Sequence, residues 1–322
     1  MIEKRLIPVA EYKEPIEFAT QQLKVFWQPD EVNVEKDVQD VLVNFTKAER
    51  HGVITTLKLF SLYETHAGTE YWGGRFREMF NGPEFERMAS VFSMFELAVH
   101  GPFYNKINEL LHLNDQKFYT SYLDNPVLKE RIDFIGDVID DKSDLVSLAG
   151  FSMVEGVILY SNFAFLKHFQ SQGKNKALNI VRGVNFSLRD ENLHSVAGAW
   201  CFKLKKSLQN LSGEQEAQLE ETIRQTARKI YEHECEIIKM IFEEGSIDGI
   251  TETQLRHFIE SRINECLKAL GYKKEFEVTY NPISEWFYKA IGDYTFNDFF
   301  SGIGNQYHRD WDEQAFIWKK AA

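Results

Sequence analysis

The sequence predicts an all-α protein, and two observations carry this prediction. Only seven of the 322 residues are proline, and none lies between Pro126 and Pro282. That interval is rich in Leu, Glu, Lys, Ala and Gln, which favour helices, whereas an internal proline would break one. Apolar residues recur there at spacings of three and four, and over residues 145–159 this pattern predicts a helix. We expect no strand-rich region anywhere in the chain.

Turn-forming residues divide the chain into successive helices, with no boundary that would separate two domains. Residues 1 to about 30 are predicted to form an irregular N-terminal arm that leads to Phe26 and Trp27. After about residue 295 the chain becomes Gly-rich, aromatic and polar, which is typical of a mobile terminus. The expected organisation is therefore one helical domain over 1–295, including the arm, and a flexible C-terminal tail over 296–322.

Charge and cysteine content limit the classes of function. The net charge of −12, from 49 acidic and 37 basic residues, argues against binding to nucleic acid or to an anionic membrane surface. The three cysteines, at 201, 235 and 266, are widely spaced and form no CxxC pair, which favours a reducing compartment. The N-terminus lacks the apolar core of a signal peptide, and we expect no membrane-spanning stretch of about 20 apolar residues. A cytoplasmic protein is predicted.

Acids and histidines on apolar helices need a chemical reason, because an unpaired charge on such a face is costly. One Glu and His pair stands at i and i+3, in SLRDENLHSV, and a second stands at i and i+4, in SMFELAVHGP. Both spacings place the two side chains on one helix face. Two further glutamates stand alone in apolar helical sequence. The set comprises Glu64, Glu96, His100, Glu155, Glu191 and His194.

The order of these residues repeats: a lone Glu is followed 32 or 36 residues later by a Glu with a His. Ferritin-like dimetal carboxylate proteins need this inventory, projecting from four helices into the bundle core. Four carboxylates balance two divalent cations, and two neutral imidazoles complete the ligand set. Oxygen and imidazole ligands without thiolate suit iron or manganese. By contrast, His233 lies among Glu232, Glu234 and Glu236, and this polar cluster is predicted to be a solvated helix face.

Across nearly its whole length the chain resembles the small subunit of class I ribonucleotide reductase. The matching segments are VFWQPDEV at 25–32, LRDENLH at 188–194 and DFFSGIGNQY at 298–307. The resemblance implies a radical-transfer path that begins at Trp27, an Asp190 that links this tryptophan to the metal-bound His100, and a Tyr307 that relays the radical across the subunit interface. It also implies a ferritin-like fold around the dimetal site.

The pair formed by Glu96 and His100 departs from the family pattern. The family has Glu-x-x-His, whereas this chain has Glu96-x-x-x-His100. Pro102 cannot donate a hydrogen bond to the carbonyl of Ala98, so a one-residue π-bulge could absorb the extra residue and keep both ligands inward. The family spacing of His-x-x-x-Tyr then makes Tyr104 the radical tyrosine. If the extra residue were absorbed after His100, Phe103 would occupy that position instead, and the oxidising equivalent would be stored on a mixed manganese–iron pair.

The resemblance implies the small subunit of a ribonucleoside-diphosphate reductase, which generates and stores a radical and passes it to the large subunit. The implied cofactors are two transition-metal ions per chain, as di-iron, di-manganese or mixed manganese and iron. The implied partners are a second copy of the chain, the large catalytic subunit bound through the C-terminal tail, and, if oxygen is not the activator, a flavoprotein. No nucleotide-binding motif is present, so the substrate sites belong to the partner. Alternatives are a dimetal oxidase or oxygenase of the same fold without radical export, and a metal-storage protein.

Overall fold

The computed structural model describes residues 3–171 and 173–288, and within them the chain is helical with no strand. This confirms the predicted all-α class. Most of the described chain lies in α-helices, and the longest are α10 and α11. The helices are α1 (Glu14–Lys24), α2 (Lys47–Thr65), α3 (Phe76–Met79), α4 (Pro83–Phe95), α5 (Gly101–Leu110), α6 (Gln116–Thr120), α7 (Pro126–Ile139), α8 (Asp144–Val157), α9 (Tyr160–Lys167), α10 (Leu178–Ser207), α11 (Gly213–Ile241), α12 (Glu252–Leu270) and α13 (Pro282–Phe287).

Short 3-10 and π-helical segments connect or extend these helices. The 3-10 segments are Lys4–Leu6, Pro29–Glu31, Val34–Asp37, Ser121–Asp124 and His168–Gln170. The π-helical segments are Asp40–Asn44, His66–Arg75 and Glu96–His100. The second of them continues α2, and the third joins α4 to α5 without a loop. Residues 47–79 and residues 83–110 therefore each form one continuous helix that is locally underwound at its π-helical segment.

The core is built around α8, which packs against α10 along its length and is covered by α11 and α12. Helix α2 packs against α5 and α11. Nearly every residue of α8 is buried. A helix enclosed by protein on all sides must be apolar all round, and that is the pattern its sequence shows.

One prediction about membrane spans needs correction. By length and hydropathy alone, Asp144–Gln170 is long and apolar enough to cross a bilayer, although we expected no such stretch. Its most apolar window is wholly buried inside the protein. A helix surrounded by other helices needs the same kind of surface as one surrounded by lipid, so composition alone does not separate the two cases.

The helix predicted over 145–159 ends early. Helix α8 stops at Val157, and Leu159 adopts the left-handed region with φ +75° before α9 begins. The break leaves carbonyl groups at the end of α8 without helical partners. Arg262 of α12 donates to one of them, the Gly156 oxygen, from Nε at 3.1 Å and from Nη2 at 3.0 Å. A tertiary contact from 106 positions away thus stabilises the break.

The N-terminal arm is only partly irregular, because α1 occupies its middle. Pro15 lies in the first turn, a position that proline favours, and Phe18, Ala19 and Gln22 are buried on one face. That face packs on α4. The polar residues between these positions weakened the apolar pattern in the sequence, which is why the helix was not predicted. The domain boundary near 295, the tail over 296–322 and Tyr307 lie outside the described residues.

Candidate metal centre

The structure brings all six predicted ligands together in the interior. Glu64 lies in the last turn of α2, Glu155 lies in α8, and Glu191 with His194 lies in α10. Glu96 and His100 are the first and last residues of the π-helical segment between α4 and α5. None of the six residues is more than 1% exposed.

These side chains form two overlapping groups, each of which could hold one metal ion. In each group, one potential ligand atom per residue lies within 4.8 Å of all the others. Glu96 and Glu191 belong to both groups. The first group adds Glu64 and His100, and the second adds Glu155 and His194.

The two shared glutamates face both histidines. The Nδ1 atom of His100 lies 3.0 Å from Oε2 of Glu96 and 3.1 Å from Oε1 of Glu191. The Nδ1 atom of His194 lies 2.7 Å from Oε1 of Glu96 and 3.6 Å from Oε2 of Glu191. Each shared carboxylate therefore turns one oxygen toward each histidine. Glu96 and Glu191 could therefore contribute a ligand atom to either group.

The donor set fits two divalent cations. Both carboxylate oxygens of Glu64 and both of Glu191 are buried and have no hydrogen-bond donor among the described residues. Burying an uncompensated carboxylate is costly, so such oxygens indicate either a bound cation or a bound proton. Four carboxylates and two imidazoles suit iron or manganese rather than a thiolate-preferring metal.

In the absence of metal, burial and neighbouring charges shift several pKa values of the cluster toward the protonated form. Burial, followed by the charge of neighbouring carboxylates, raises the pKa of Glu64 and of Glu155 well above the ordinary value. Burial opposes ionisation of Glu96 as well, but His100 and His194 outweigh it and lower its pKa. Burial acts to lower the pKa of His194, and the charge of Glu96 overcomes this and raises it to about 9.

The Glu155 carboxylate is held by two donors from the first half of the chain. Trp72 Nε1 donates to its Oε1 at 2.7 Å, and the Tyr63 hydroxyl donates to its Oε2 at 3.2 Å. Both donors are buried. Sequence reasoning missed them, because these contacts span 83 and 92 positions and no local motif marks them. Such outer hydrogen bonds fix the orientation of a ligating carboxylate.

The extra residue between Glu96 and His100 is absorbed by a π-helical turn, as the sequence predicted. The Gly101 amide donates to the Glu96 carbonyl, five positions back, in place of the usual four. Leu97 and Ala98 face outward, whereas Glu96 and His100 are buried. The widened turn therefore keeps both candidate ligands on the inner face.

Asp190 joins the buried Trp27 to the cluster. Its Oδ2 atom accepts from Trp27 Nε1 at 2.8 Å and from His100 Nε2 at 3.1 Å. Arg189 lies beside it, with Nη2 3.3 Å from Oδ1. Burial opposes the charge of Asp190, but Arg189 and His100 outweigh it and lower its pKa. The aspartate is therefore ionised and links the Trp27 indole to the His100 imidazole by hydrogen bonds.

Tyr104 and Phe103 are both fully buried in α5 but have different surroundings. The Tyr104 hydroxyl donates to Ser187 Oγ at 3.0 Å, and its ring stacks on Phe60 with centroids 4.2 Å apart. The Phe103 ring instead contacts Trp27, with centroids 5.3 Å apart. Ser187 was not singled out in the sequence, since a serine four residues before Glu191 carries no distinctive signal.

The prediction of a solvated face around His233 is wrong in part. His233 is 4% exposed and Glu234 is fully buried. Arg131 and Ser161 both donate to the Glu234 carboxylate, so this acid is compensated by an ion pair and a hydrogen bond. The neighbouring charges in the sequence concealed a buried residue on an amphipathic helix. Because Arg131 and Ser161 bind its carboxylate, Glu234 has a structural role in the core.

A helical protein with a buried cluster of four glutamates and two histidines, able to hold two metal ions, belongs to the dimetal carboxylate class. Within that class, the chain belongs to the family described as the ribonucleotide reductase small chain, whose sequence profile matches residues 7–282. The three free cysteines at 201, 235 and 266 take no part in the cluster.

Individual relatives agree with this assignment. The chain is 24% identical over 301 residues to the ribonucleoside-diphosphate reductase subunit beta of Buchnera aphidicola subsp. Schizaphis graminum, a match that covers 81% of this chain and 77% of that protein. In fold it is similar to the dimanganese(II)-NrdF of Streptococcus sanguinis, with TM-score 0.76 and 19% identity over 86% of this chain and 96% of the other. The ribonucleotide reductase R2 subunit of Clostridium botulinum gives TM-score 0.75 and 22% identity over 85% and 87% of the two chains.

Membership in the family defines the role. Small subunits of ribonucleoside-diphosphate reductase generate the radical that ribonucleotide reduction requires, they work with a large subunit, and they are generally dimers. The alternative of an oxidase without radical export gains no support from these matches.

Proposed function

We propose that Glu64, Glu96, His100, Glu155, Glu191 and His194 hold two metal ions, and that the protein uses them to generate a radical for export to a large subunit. The observation that carries the proposal is the sharing of Glu96 and Glu191 between two buried ligand groups. When bound, the metal pair supplies the one-electron oxidising power of the centre. The protein contributes the geometry that holds the pair and excludes water.

Two of the proposed ligands, Glu155 and His100, are held by hydrogen bonds with residues outside the ligand set. Trp72 and Tyr63, both from the first half of the chain, hold the two oxygens of the Glu155 carboxylate. Asp190 accepts from His100 Nε2, which leaves the Nδ1 atom directed at the carboxylates and available as a ligand. Supports of this kind fix the ring orientation of a ligating histidine and raise its basicity.

We propose Tyr104 as the residue that stores the radical. Its side chain is fully buried, its hydroxyl has Ser187 as a hydrogen-bond partner, and Phe60 covers one face of its ring. These contacts exclude water and reductants from the phenol. If Phe103 held this role instead, no tyrosyl radical would form, and the oxidising equivalent would remain on the metals.

We propose that the oxidising equivalent leaves through His100, Asp190 and Trp27 and then through Tyr307. The hydrogen-bonded contact of Trp27, Asp190 and His100 supports the first part of this route. Tyr307 and the docking tail over 296–322 are proposed from the sequence resemblance. On docking of that tail, the large subunit receives the radical and reduces the ribonucleotide in its own site.

The remaining cofactors and partners are proposals of the same kind. Iron, manganese and a mixed pair all suit glutamate and histidine ligands. The activator is oxygen or an oxidant delivered by a flavoprotein. We propose a homodimer in the cytoplasm, because the three cysteines are free and the family is generally dimeric.

Electron paramagnetic resonance with metal quantification tests the proposal. Metal-free protein is loaded with Fe(II) or with Mn(II), exposed to oxygen, and, for Mn(II), also to a flavoprotein-generated oxidant. We expect two ions per chain and a persistent tyrosyl doublet in the wild type. We expect Tyr104→Phe to keep both ions and lose the persistent signal. Two bound ions without any tyrosyl signal in the wild type would contradict the role of Tyr104, and fewer than two ions would contradict the ligand set.

A further inference from the structure

Tyr63 is a second tyrosine at the centre, and its contacts differ from those of Tyr104. It lies one residue before Glu64 in α2, is 2% exposed, and donates its hydroxyl hydrogen to Oε2 of Glu155 at 3.2 Å. Tyr104 donates to a serine instead. The phenol of Tyr63 is thus hydrogen-bonded directly to Glu155, a proposed metal ligand.

We propose that Tyr63 is a second redox-active tyrosine, oxidised at the same centre as Tyr104. The inference rests on the proposed function, because it requires an oxidised dimetal pair at these ligands. In the step, the O–H bond of Tyr63 breaks, its proton passes along the hydrogen bond to Oε2 of Glu155, and one electron passes to the oxidised metal pair. Tyr63 becomes a neutral tyrosyl radical, and the metal pair is reduced by one electron.

Two features of the structure favour this step. Oxidation of a phenol requires loss of its proton, and the Glu155 carboxylate is an acceptor already in hydrogen-bond contact. The second donor to Glu155, Trp72 Nε1 at 2.7 Å, bonds the other oxygen and so leaves Oε2 to Tyr63. The carboxylate is held in place while it receives the proton.

Other buried tyrosines lack this contact and serve as comparisons. The Tyr71 hydroxyl is buried without a hydrogen-bond partner among the described residues, and its ring stacks on Phe151. Tyr160 lies under the guanidinium of Arg262, which is 4.1 Å from its ring centroid. Neither hydroxyl donates to a member of the proposed ligand set. Tyr71→Phe is therefore a matched control, since it removes one buried hydroxyl from the same region.

The contacts also predict different lifetimes for the two radicals. The Tyr104 hydroxyl donates its hydrogen bond to Ser187 instead of to a proposed ligand carboxylate, and Phe60 covers one face of its ring. A Tyr63 radical would remain next to the proton that it gave to Glu155, which favours rapid return of the electron and the proton. We therefore expect Tyr63 to hold a transient radical and Tyr104 a persistent one.

The experiment is rapid freeze-quench paramagnetic resonance after oxidation of metal-loaded protein. It compares the wild type with Tyr104→Phe, Tyr63→Phe/Tyr104→Phe and Tyr71→Phe/Tyr104→Phe, with the metal content of each sample measured. We expect a short-lived tyrosyl doublet in Tyr104→Phe, with a hyperfine pattern different from that of the wild type. We expect this doublet to be lost in the variant that also lacks Tyr63 and kept in the variant that also lacks Tyr71.

The outcomes separate this inference from the proposed function. A persistent radical in the wild type with no organic radical at any time in Tyr104→Phe would overturn the role of Tyr63 and leave the proposed function intact. Absence of a radical from the wild type with both ions bound would overturn both. If the double variant fails to bind two ions, Tyr104→Phe grown with ring-deuterated tyrosine decides the matter. Narrowing of its transient signal supports a tyrosyl radical, and an unchanged signal overturns the inference.

Discussion

Asp190 concentrates two contacts on one oxygen atom. Its Oδ2 atom accepts from Trp27 and from His100, while Oδ1 faces the Arg189 guanidinium. An asparagine at this position has only one oxygen. If that oxygen served the indole and the imidazole, the amide NH2 would point at a positively charged donor. Charge and hydrogen-bond pattern therefore both require a carboxylate here.

Asp190→Asn is expected to lower turnover with the large subunit by about 10–100-fold, the usual range for loss of such an outer contact. The substitution removes no proposed ligand, so two bound ions and the Tyr104 radical should remain. Ribonucleotide reduction, metal content and radical yield are measured on the same preparation. Asp30→Asn, an exposed position near Trp27, is the control and should leave all three unchanged. Wild-type turnover in Asp190→Asn would contradict the proposed route.

The bond from Tyr104 to Ser187 has a consequence that does not depend on metal. In Ser187→Ala the buried phenol loses its acceptor, and leaving such a group unpaired costs about 1–3 kcal/mol. We expect the free energy of unfolding of the metal-free protein, measured in urea, to fall by that amount. When Tyr104→Phe is already present, the same change should cost much less, because both partners are then removed. Equal costs in the two backgrounds would show that the hydrogen bond contributes nothing.

At the scale of helices, the sequence predicted what depends on local pattern and missed what depends on distant contacts. The candidate ligands Glu96 and His100 were singled out because charge on an apolar helix is conspicuous, and the π-turn between them was predicted because Pro102 interrupts the helical hydrogen bonds. The break at Leu159 was missed, since the contact of Arg262 with the Gly156 carbonyl stabilises it from another helix. Helix α1 was missed because polar residues separate its buried positions in the sequence.

The π-turn makes a deletion test available. Removing the exposed Ala98 gives the usual Glu-x-x-His spacing and should convert the segment to a regular α-helix, with both ligands still inward. We expect two bound ions and a nearly unchanged free energy of unfolding. Removing the buried Val99 also shortens the segment but deletes a core side chain, so this control should be clearly less stable. Loss of both ions on deletion of Ala98, with the fold preserved, would contradict this account of the π-turn.

The end of α8 provides the second prediction at this scale. Arg262→Met removes two charged hydrogen bonds to the Gly156 carbonyl but keeps much of the apolar stem. Because a hydrogen bond to a charged group contributes about 1.5–3 kcal/mol, we expect the free energy of unfolding to fall by at least that amount. Arg262→Lys should recover little of it, since an ammonium cannot reproduce the two-pronged contact. Urea unfolding measures both, and full recovery by lysine would show that charge alone matters.

Across the whole molecule, the cluster joins the two halves of the chain. The proposed ligands extend from Glu64 in α2 to His194 in α10, and both of these residues are wholly enclosed by the core. Without metal, the four carboxylates and two imidazoles must share protons to remain buried. With metal, the ions replace those protons. Metal binding is therefore coupled to the stability of the entire helical core and to pH.

The coupling predicts a pH dependence with a definite sign. The pKa of His194 is raised from 6.5 to about 9 in the folded metal-free protein, so its stabilising contribution is complete below 6.5 and lost as pH rises to about 9. The raised pKa values of Glu64 and Glu155 act in the same direction, because folding then requires proton uptake. The lowered pKa of Glu96 adds nothing in this window, since that group is ionised in both states throughout it.

We therefore expect the melting temperature of the metal-free protein to fall between pH 6.5 and pH 9, the two pKa values of His194. The melting temperature of protein loaded with Mn(II) in the absence of oxygen should change less over this pH range, because the ions have displaced the protons. The gap between the two melting temperatures should thus widen with pH. A free metal concentration of 100 times Kd alone raises the free energy of unfolding by about 2.7 kcal/mol. Scanning calorimetry measures both forms, with chelator-treated and reloaded samples to show reversibility. His194→Gln should flatten the pH dependence of the metal-free form, and a gap that narrows toward pH 9 would show that protons do not occupy the ligand cluster.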